Sequence, residues 1–403
     1  MKTTTIVCTS LFLLNLFGLV RYSFLTLPVL LSFVILFIYN AWFCRKGKYP
    51  FVISFSLILI GLVCNVVSSY VYENTNPIKV ISAYQFILGI FYLFFLWENK
   101  TSPLKAEKAL VYLAIIMCSF YLLQFIAYQY GISFIERSKD YDFDAGTDVR
   151  LRMNGSALSA FIYFYGLGRY LKTQKFVYLL YLLLGASVIM LMSFRTMTIA
   201  IILSTIVFSI LQKNSRNKLF LLYILLSIVI IIAYNAPFIQ RKVDFMIEKQ
   251  VEGEQTFDND EYSRVLSFHY YTHEHFKDRT EYFFGSGLEN GDTKYRKKIQ
   301  ALLSVHWSYT DWGLLGLSWM VGAITVMGIL FYVFSVFKSN LSEKYIYIKA
   351  FYFYLILCSI TTYEFAREGN FVVQALILYI VACTNIPKRS VKKNERLSIK
   401  TNC

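Results

Sequence analysis

The chain has 403 residues, of which 57% are hydrophobic, 18% aromatic and only 16% charged. A soluble domain of this length cannot hide so much apolar surface, so the soluble globular classes are excluded. The net charge of +15 does not point to nucleic acid either, because the cations fall in short clusters between apolar runs and form no basic stripe with interleaved aromatics.

Apolar runs of about 18 residues or more are candidate membrane-spanning helices. Twelve are read in chain order, at 4–20, 23–43, 51–72, 78–97, 108–128, 154–171, 176–192, 196–211, 219–235, 311–337, 345–363 and 371–385. The first follows Lys2 and is succeeded by Arg21, Tyr22 and Ser23, with no small-x-small cleavage site, so it reads as a retained helix rather than a signal peptide. Only Ser193, Phe194 and Arg195 divide the seventh run from the eighth, but 176–211 is too long for one span. The expected fold is an all-α polytopic membrane protein, a single helical domain over 1–403.

Charge orients it. With the N-terminus inside, the inside segments collect Lys2, the RKGK cluster at 45–48, Lys100, Lys105, Lys108, Arg169, Lys172, Lys175, Lys213, Arg216, Lys218, Lys338, Lys344, Lys349 and the basic tail. The short outside loops carry one cation each: Arg21, Lys79, Arg195 and Arg367. The bias predicts both termini in the cytoplasm.

Two outside loops are long, and loops beyond about 15 residues are usually functional or disordered. The first, 129–153, contains ERSKDYDFDAGTDVRLRM. The second, 236–310, is acidic in its middle, then rich in aromatics and histidine, then carries FFGSGLENG. Val265, Leu266, Phe268 and Phe276 have helical spacing and predict a surface helix around 262–276. The seven cysteines lie in or beside apolar runs or in the tail, so no disulfide framework is implied.

Five outside arginines are candidate anion sites: Arg150 and Arg152 before the sixth span, Arg195 between the seventh and eighth, and Arg241 and Arg264 in the late loop. Guanidinium groups bind phosphates bidentately and stay charged. Arg195 sits in a very short turn between apolar helices, where it must snorkel, pair or bind an anion. Arg150 and Arg152 have Asp144 and Asp148 as possible partners, and Arg264 reads equally as part of a solvated helix face.

His269 and His273 are spaced i, i+4, with His275 nearby, but Tyr270 stands where a zincin would need its glutamate. The stretch is read as an amphipathic helix, with no metal and no cofactor expected. His306 stands beside Ser308, Tyr309 and Asp311 at the entry to the tenth span. It is either a general base or an interfacial cap in an aromatic belt with Trp307 and Trp312, and spacing alone favours the cap. No phosphate-cradling loop or GxSxG elbow is present, no aspartate pair typical of a metal-dependent glycosyltransferase site stands out, and spans nearly free of charge argue against an ion pump.

RLRMNG at 150–155, SFRT at 193–196, Arg264 with the downstream FFGSGLENG, and HWSYTDWGLLGL resemble segments of the bacterial O-antigen and capsule repeat-unit polymerases (Wzy-type), which are related to the O-antigen ligases. The likeness is mainly architectural, in the number of spans and one large late outside loop. It implies a metal-independent glycosyltransferase-type polymerase of the bacterial inner membrane. The reaction it implies moves a growing glycan from undecaprenyl pyrophosphate to the next lipid-linked repeat unit on the outer face. Arg195 and Arg264 would hold the pyrophosphate, with Arg150, Arg152 and Arg241 as further candidates and His306 as the base. A chain-length regulator and a flippase are the implied protein partners, beside the bilayer itself. A ligase using the same donor and a lipid-linked oligosaccharide flippase are the alternative expectations.

Overall fold

A computed structural model describes residues 1–15, 25–44, 50–130, 132, 154–192, 195–212, 263–288, 294–305 and 307–385. Among these residues the secondary structure is helical throughout, with no strand.

The bundle begins with α1 (Thr3–Leu14), α2 (Thr26–Ile38) and α3 (Val52–Glu73). A bent pair follows, α4 (Pro77–Ala83) and α5 (Gln85–Glu98), then α6 (Pro103–Gln129). Further along the chain come α7 (Ala157–Thr173), α8 (Phe176–Leu191) and α9 (Arg195–Leu211). The late segment forms α10 (Ser263–His269), α11 (Arg279–Phe284) and α12 (Lys294–Ser304), and the chain closes with α13 (Gly313–Val321), α14 (Ala323–Lys338), α15 (Tyr347–Cys358) and α16 (Asn370–Thr384).

Local chemistry sets several of these ends. Helix α3 stops where Asn74 turns left-handed at φ 50°, a conformation asparagine tolerates. Three residues later α4 starts with Pro77 at its first position, where the missing N–H costs nothing, and the Asn76 side chain accepts from Ile78 N at 2.9 Å.

Two helices, Val52–Glu73 and Pro103–Ala127, are long and apolar enough to cross a membrane alone, and Pro77–Ala83 with Gln85–Glu98 makes a third if the bent pair is one span. Shorter apolar helices of 10–17 residues occupy the other described runs. Two expected spans are broken. The run 78–97 bends by 53° around Tyr84, with neither glycine nor proline at the break. The run 311–337 divides at Gly322, whose φ of +90° no helix accommodates. A Cβ there would lie 2.6 Å from Phe284 C, because the late segment crosses at that point. The expected ninth span, 219–235, lies outside the described residues.

Two helix pairs approach to backbone contact. Gly166 of α7 faces α8 so closely that a Cβ would sit 2.6 Å from Leu182 N, and Gly185 of α8 would reciprocate at 2.5 Å from Ser159 O. Gly61 of α3 and Gly328 of α14 behave alike, 2.7 Å from Thr325 N and from Ser54 O. Small residues allow close van der Waals packing where apolar solvent gives no drive to associate.

Polar side chains gather at the two ends of α7. At one end Glu107, early in α6, accepts from Arg169 Nη2 at 2.5 Å and from Tyr347 OH at 2.9 Å, with Lys344 Nζ at 3.8 Å. These residues come from segments with the inside charge signature. At the other end, about 25 Å away along 17 residues, Ser156, Glu364 and Asn370 meet.

Candidate functional site

The late segment does not lie over the bundle as a simple surface helix. Ser267, Tyr271 and His275, spaced i, i+4, i+8, form a buried stripe, whereas Val265 and Phe268, two of the residues that predicted the helix, are the more exposed. Tyr271 stacks on Trp319 at 5.1 Å, with the ring planes 8° apart. His269 and His273 stay exposed, ring on ring at 4.6 Å, with His269 Nδ1 3.6 Å from Glu274 Oε1.

Beyond α11 the chain dips into the bundle as an extended piece, 285–288, all four residues buried. Extended backbone in an apolar interior needs a partner for every polar group. Here Ser286 N donates to Trp319 O at 3.0 Å and Gly287 N to Met320 O at 2.8 Å. From α3, Ser68 Oγ donates to Gly285 O at 2.8 Å and Ser69 Oγ to Ser286 O at 3.2 Å. Asn65 Nδ2 donates to Phe284 O and, at 2.9 Å, to Met320 O, while Asn65 Oδ1 accepts from Tyr84 OH. Gly287, at φ +99°, passes so close to Ser69 that a Cβ would lie 3.0 Å from its Cβ.

His275 Nε2 lies 2.9 Å from Ser286 Oγ, which lies 2.8 Å from Tyr295 OH. Tyr295 OH also donates to Gly287 O at 3.1 Å. Burial, reinforced by Lys298 and Lys277, pushes the His275 pKa down to about 3. Glu281 is buried alongside, held by Lys277 N at 2.5 Å, and burial raises its carboxyl pKa. Glu73 pairs with Lys277 Nζ at 3.2 Å.

Because His275 takes its proton far more readily when unfolded, at about 6.5, acid favours the unfolded state. The stability from its burial is complete above about pH 6.5 and is lost as pH falls toward 3. The His275 contribution to the slope approaches about 1.4 kcal/mol per pH unit. Thermal unfolding of purified protein should therefore weaken more steeply between pH 6.5 and 4.5 in the native chain than in His275→Gln. Parallel curves would disprove the assignment. The same comparison cancels the titration of Glu281, which both proteins share.

The turn Tyr309–Trp312 packs on α10, and the residues just past it connect through the 359–361 segment to α9. On one side Trp312 Nε1 donates to Ser267 Oγ at 3.1 Å, and Ser267 Oγ donates to Arg264 O at 2.9 Å, so α10 and its Arg264 lie against this turn. Arg264 is part-exposed and forms no ion pair with a described residue. On the other side Leu314 N donates to Ser359 O at 3.0 Å, and Gly313 at φ +52° packs so tightly that a Cβ would lie 2.5 Å from Ser359 C. Two residues on, Thr361 Oγ1 is 2.7 Å from Thr196 Oγ1, next to Arg195, the first residue of α9. Tyr309 packs edge-on against both Tyr271 and Tyr363, with centroids 6.3 and 6.0 Å apart.

Next to Tyr363 is a buried polar knot. Glu364 is fully buried; its Oε2 is 3.0 Å from Arg367 Nη1, and its Oε1 accepts from Ser156 Oγ at 2.5 Å and Asn370 Nδ2 at 3.3 Å. Asn370 Oδ1 accepts from Ala157 N at 3.1 Å, and Gly155 N donates to Glu368 O at 2.8 Å. The starts of α7 and α16 are thereby joined.

Of the sequence-derived candidates, Arg264 is fully placed and Arg195 is placed by its backbone. Arg150, Arg152, Arg241 and His306 lie outside the described residues. Four polar residues escaped the sequence reading: Asn65, Ser286, Glu364 and Asn370. The pair Glu364–Arg367 had a signal, opposite charges at i, i+3 in a short loop between apolar runs. Asn65 had one too, an amide in the middle of an apolar run. No protein-family model, curated protein or solved structure matches the chain.

Proposed function

We propose that this chain polymerises undecaprenyl-pyrophosphate-linked oligosaccharide repeat units into O-antigen or capsular polysaccharide, working from the bacterial inner membrane. In this reading twelve helices cross the bilayer, both termini are cytoplasmic, and 129–153 and 236–310 lie on the outer face. The observation that carries it is that α10, with Arg264, packs on the turn 309–312, while α9, with Arg195, reaches the residues just past that turn through the 359–361 segment.

The chemistry suits those residues. A hydroxyl of the acceptor repeat unit attacks the anomeric carbon of the donor chain, the carbon–oxygen bond to pyrophosphate breaks, and the proton passes to a base. Arg195 and Arg264 hold the developing negative charge on the leaving pyrophosphate without a metal, a contribution usually worth a factor of about 10²–10³ per donor. Arg150, Arg152 and Arg241 are further anion-binding candidates. His306 is the proposed base, and its neighbours Trp307 and Ser308 lead into the turn. Growing product passes to a chain-length regulator, and a flippase supplies the lipid-linked units.

Arg195→Ala and Arg264→Ala should each leave only single-repeat glycan while the protein still inserts, read as loss of the ladder on a gel. Normal ladders from both variants would end this reading. Long chains left on the lipid carrier would instead identify a ligase.

A further inference from the structure

Helix α12 carries Lys294, Arg296, Lys297 and Lys298 within five residues, and it contains no acid. Its inward face is fixed. Tyr295 and Ile299, at i, i+4, are buried, and Tyr295 OH is locked to Ser286 and Gly287. The helical period therefore turns Lys294 and Lys297 outward, where both are exposed. Among the described residues neither pairs with a carboxylate. Lys298 lies at the edge, its Nζ 6.0 Å above the Tyr270 ring. At the far end Leu303 and Val305 are 37% and 53% exposed, with Trp307 just beyond.

Two helices measure the level at which α12 sits. Tyr295 is tied to Ser286, which Ser69 of α3 contacts, and from Val52 to Ser69 is about 26 Å of helix. Tyr295 also touches Met320, just ahead of α14, whose 16 residues span about 24 Å. Both distances place α12 close to the far edge of a hydrocarbon core about 30 Å thick. Lipid phosphates occupy that level.

We propose that the cationic face of α12 binds the headgroups of anionic phospholipids and so fastens the late segment to the membrane surface. The inference rests on the proposed membrane insertion but not on the polymerase reaction. Charge complementarity and depth both favour a headgroup, and the exposed Leu303 and Val305 suit the same boundary.

Full-length protein in nanodiscs tests this by amide hydrogen exchange. In zwitterionic phosphatidylcholine discs α12 should exchange faster than in discs that also contain phosphatidylglycerol. The Lys294→Gln/Lys297→Gln double variant should lose that slowing while α3 and α6 keep their native protection, and high salt should erase it in the native chain. Equal exchange in the two lipids would overturn the proposal. So would slowing produced in phosphatidylcholine discs by an added polyprenyl pyrophosphate but not by phosphatidylglycerol, which would assign the cations to a lipid-linked substrate. Glycan ladders read the polymerase proposal separately, so the two can fail independently.

Discussion

Glu364→Ala should destabilise the protein by about 3–5 kcal/mol, the cost of breaking a buried ion pair from one side. Glu364 is completely buried, and its partner Arg367 has a side chain only 14% exposed, so water replaces the lost carboxylate poorly. Ser156 Oγ and Asn370 Nδ2 lose an acceptor as well, and with them goes a link between the starts of α7 and α16. Glu364→Gln should cost less, since an amide oxygen still accepts from Ser156 and Asn370 and only the charge is removed. Thermal unfolding of detergent-purified variants is the measurement, with exposed Lys172→Ala as the surface reference. A Glu364→Ala shift no larger than that of the reference would show that the knot contributes nothing to stability.

Asn65→Leu should be comparably severe, on the order of 4 kcal/mol, with a local signature. The Asn65 amide serves three groups at once: Phe284 O, Met320 O and Tyr84 OH. Each buried polar group left without a partner costs about 1–3 kcal/mol. Met320 O keeps the donor Gly287 N, so the damage should concentrate at Phe284 and Tyr84. Leucine keeps a similar volume, which separates hydrogen bonding from cavity formation. The amides of Ser286 and Gly287 should exchange faster with solvent, while those in the middle of α6 stay protected. Unchanged exchange at Ser286 and Gly287 would mean that Ser68 and Ser69 hold the segment without Asn65.

Hydropathy and charge made the helical architecture legible, because lipid-like composition leaves the backbone few alternatives to helix. The break before Arg195 was legible for the same reason: 176–211 is too long for one span. The breaks at Tyr84 and Gly322 were not. A hydropathy average is blind to one backbone dihedral, and Gly322 departs from helix because another segment crosses it. Tyr84 carries no local breaker at all; the bend is met by a hydrogen bond to Asn65, 19 residues away. The surface helix was legible in its existence and not in its facing. Val265 and Phe268 suggested the packed side, yet Ser267, Tyr271 and His275 occupy it, since serine and histidine find partners in Trp312 and Ser286. In the candidate site, residue type alone picked out Arg264 and Arg195. The Glu364–Arg367 pair is not legible in a charge count, which registers an outside-loop cation without its partner.

The glycine contacts between α7 and α8, and between α3 and α14, divide the bundle into staves. Where two backbones touch, neither helix can slide or part without losing a whole face of packing, so each pair moves as one body. The chain's freedom then lies along the seams between the staves. Helix α9 leaves its sequence neighbour α8 and packs chiefly on α15. A lipid-tailed molecule entering sideways would find α7–α8 and α3–α14 closed like glued planks. A gap between helices opens more readily along a seam such as the one beside α9, the helix that Arg195 begins.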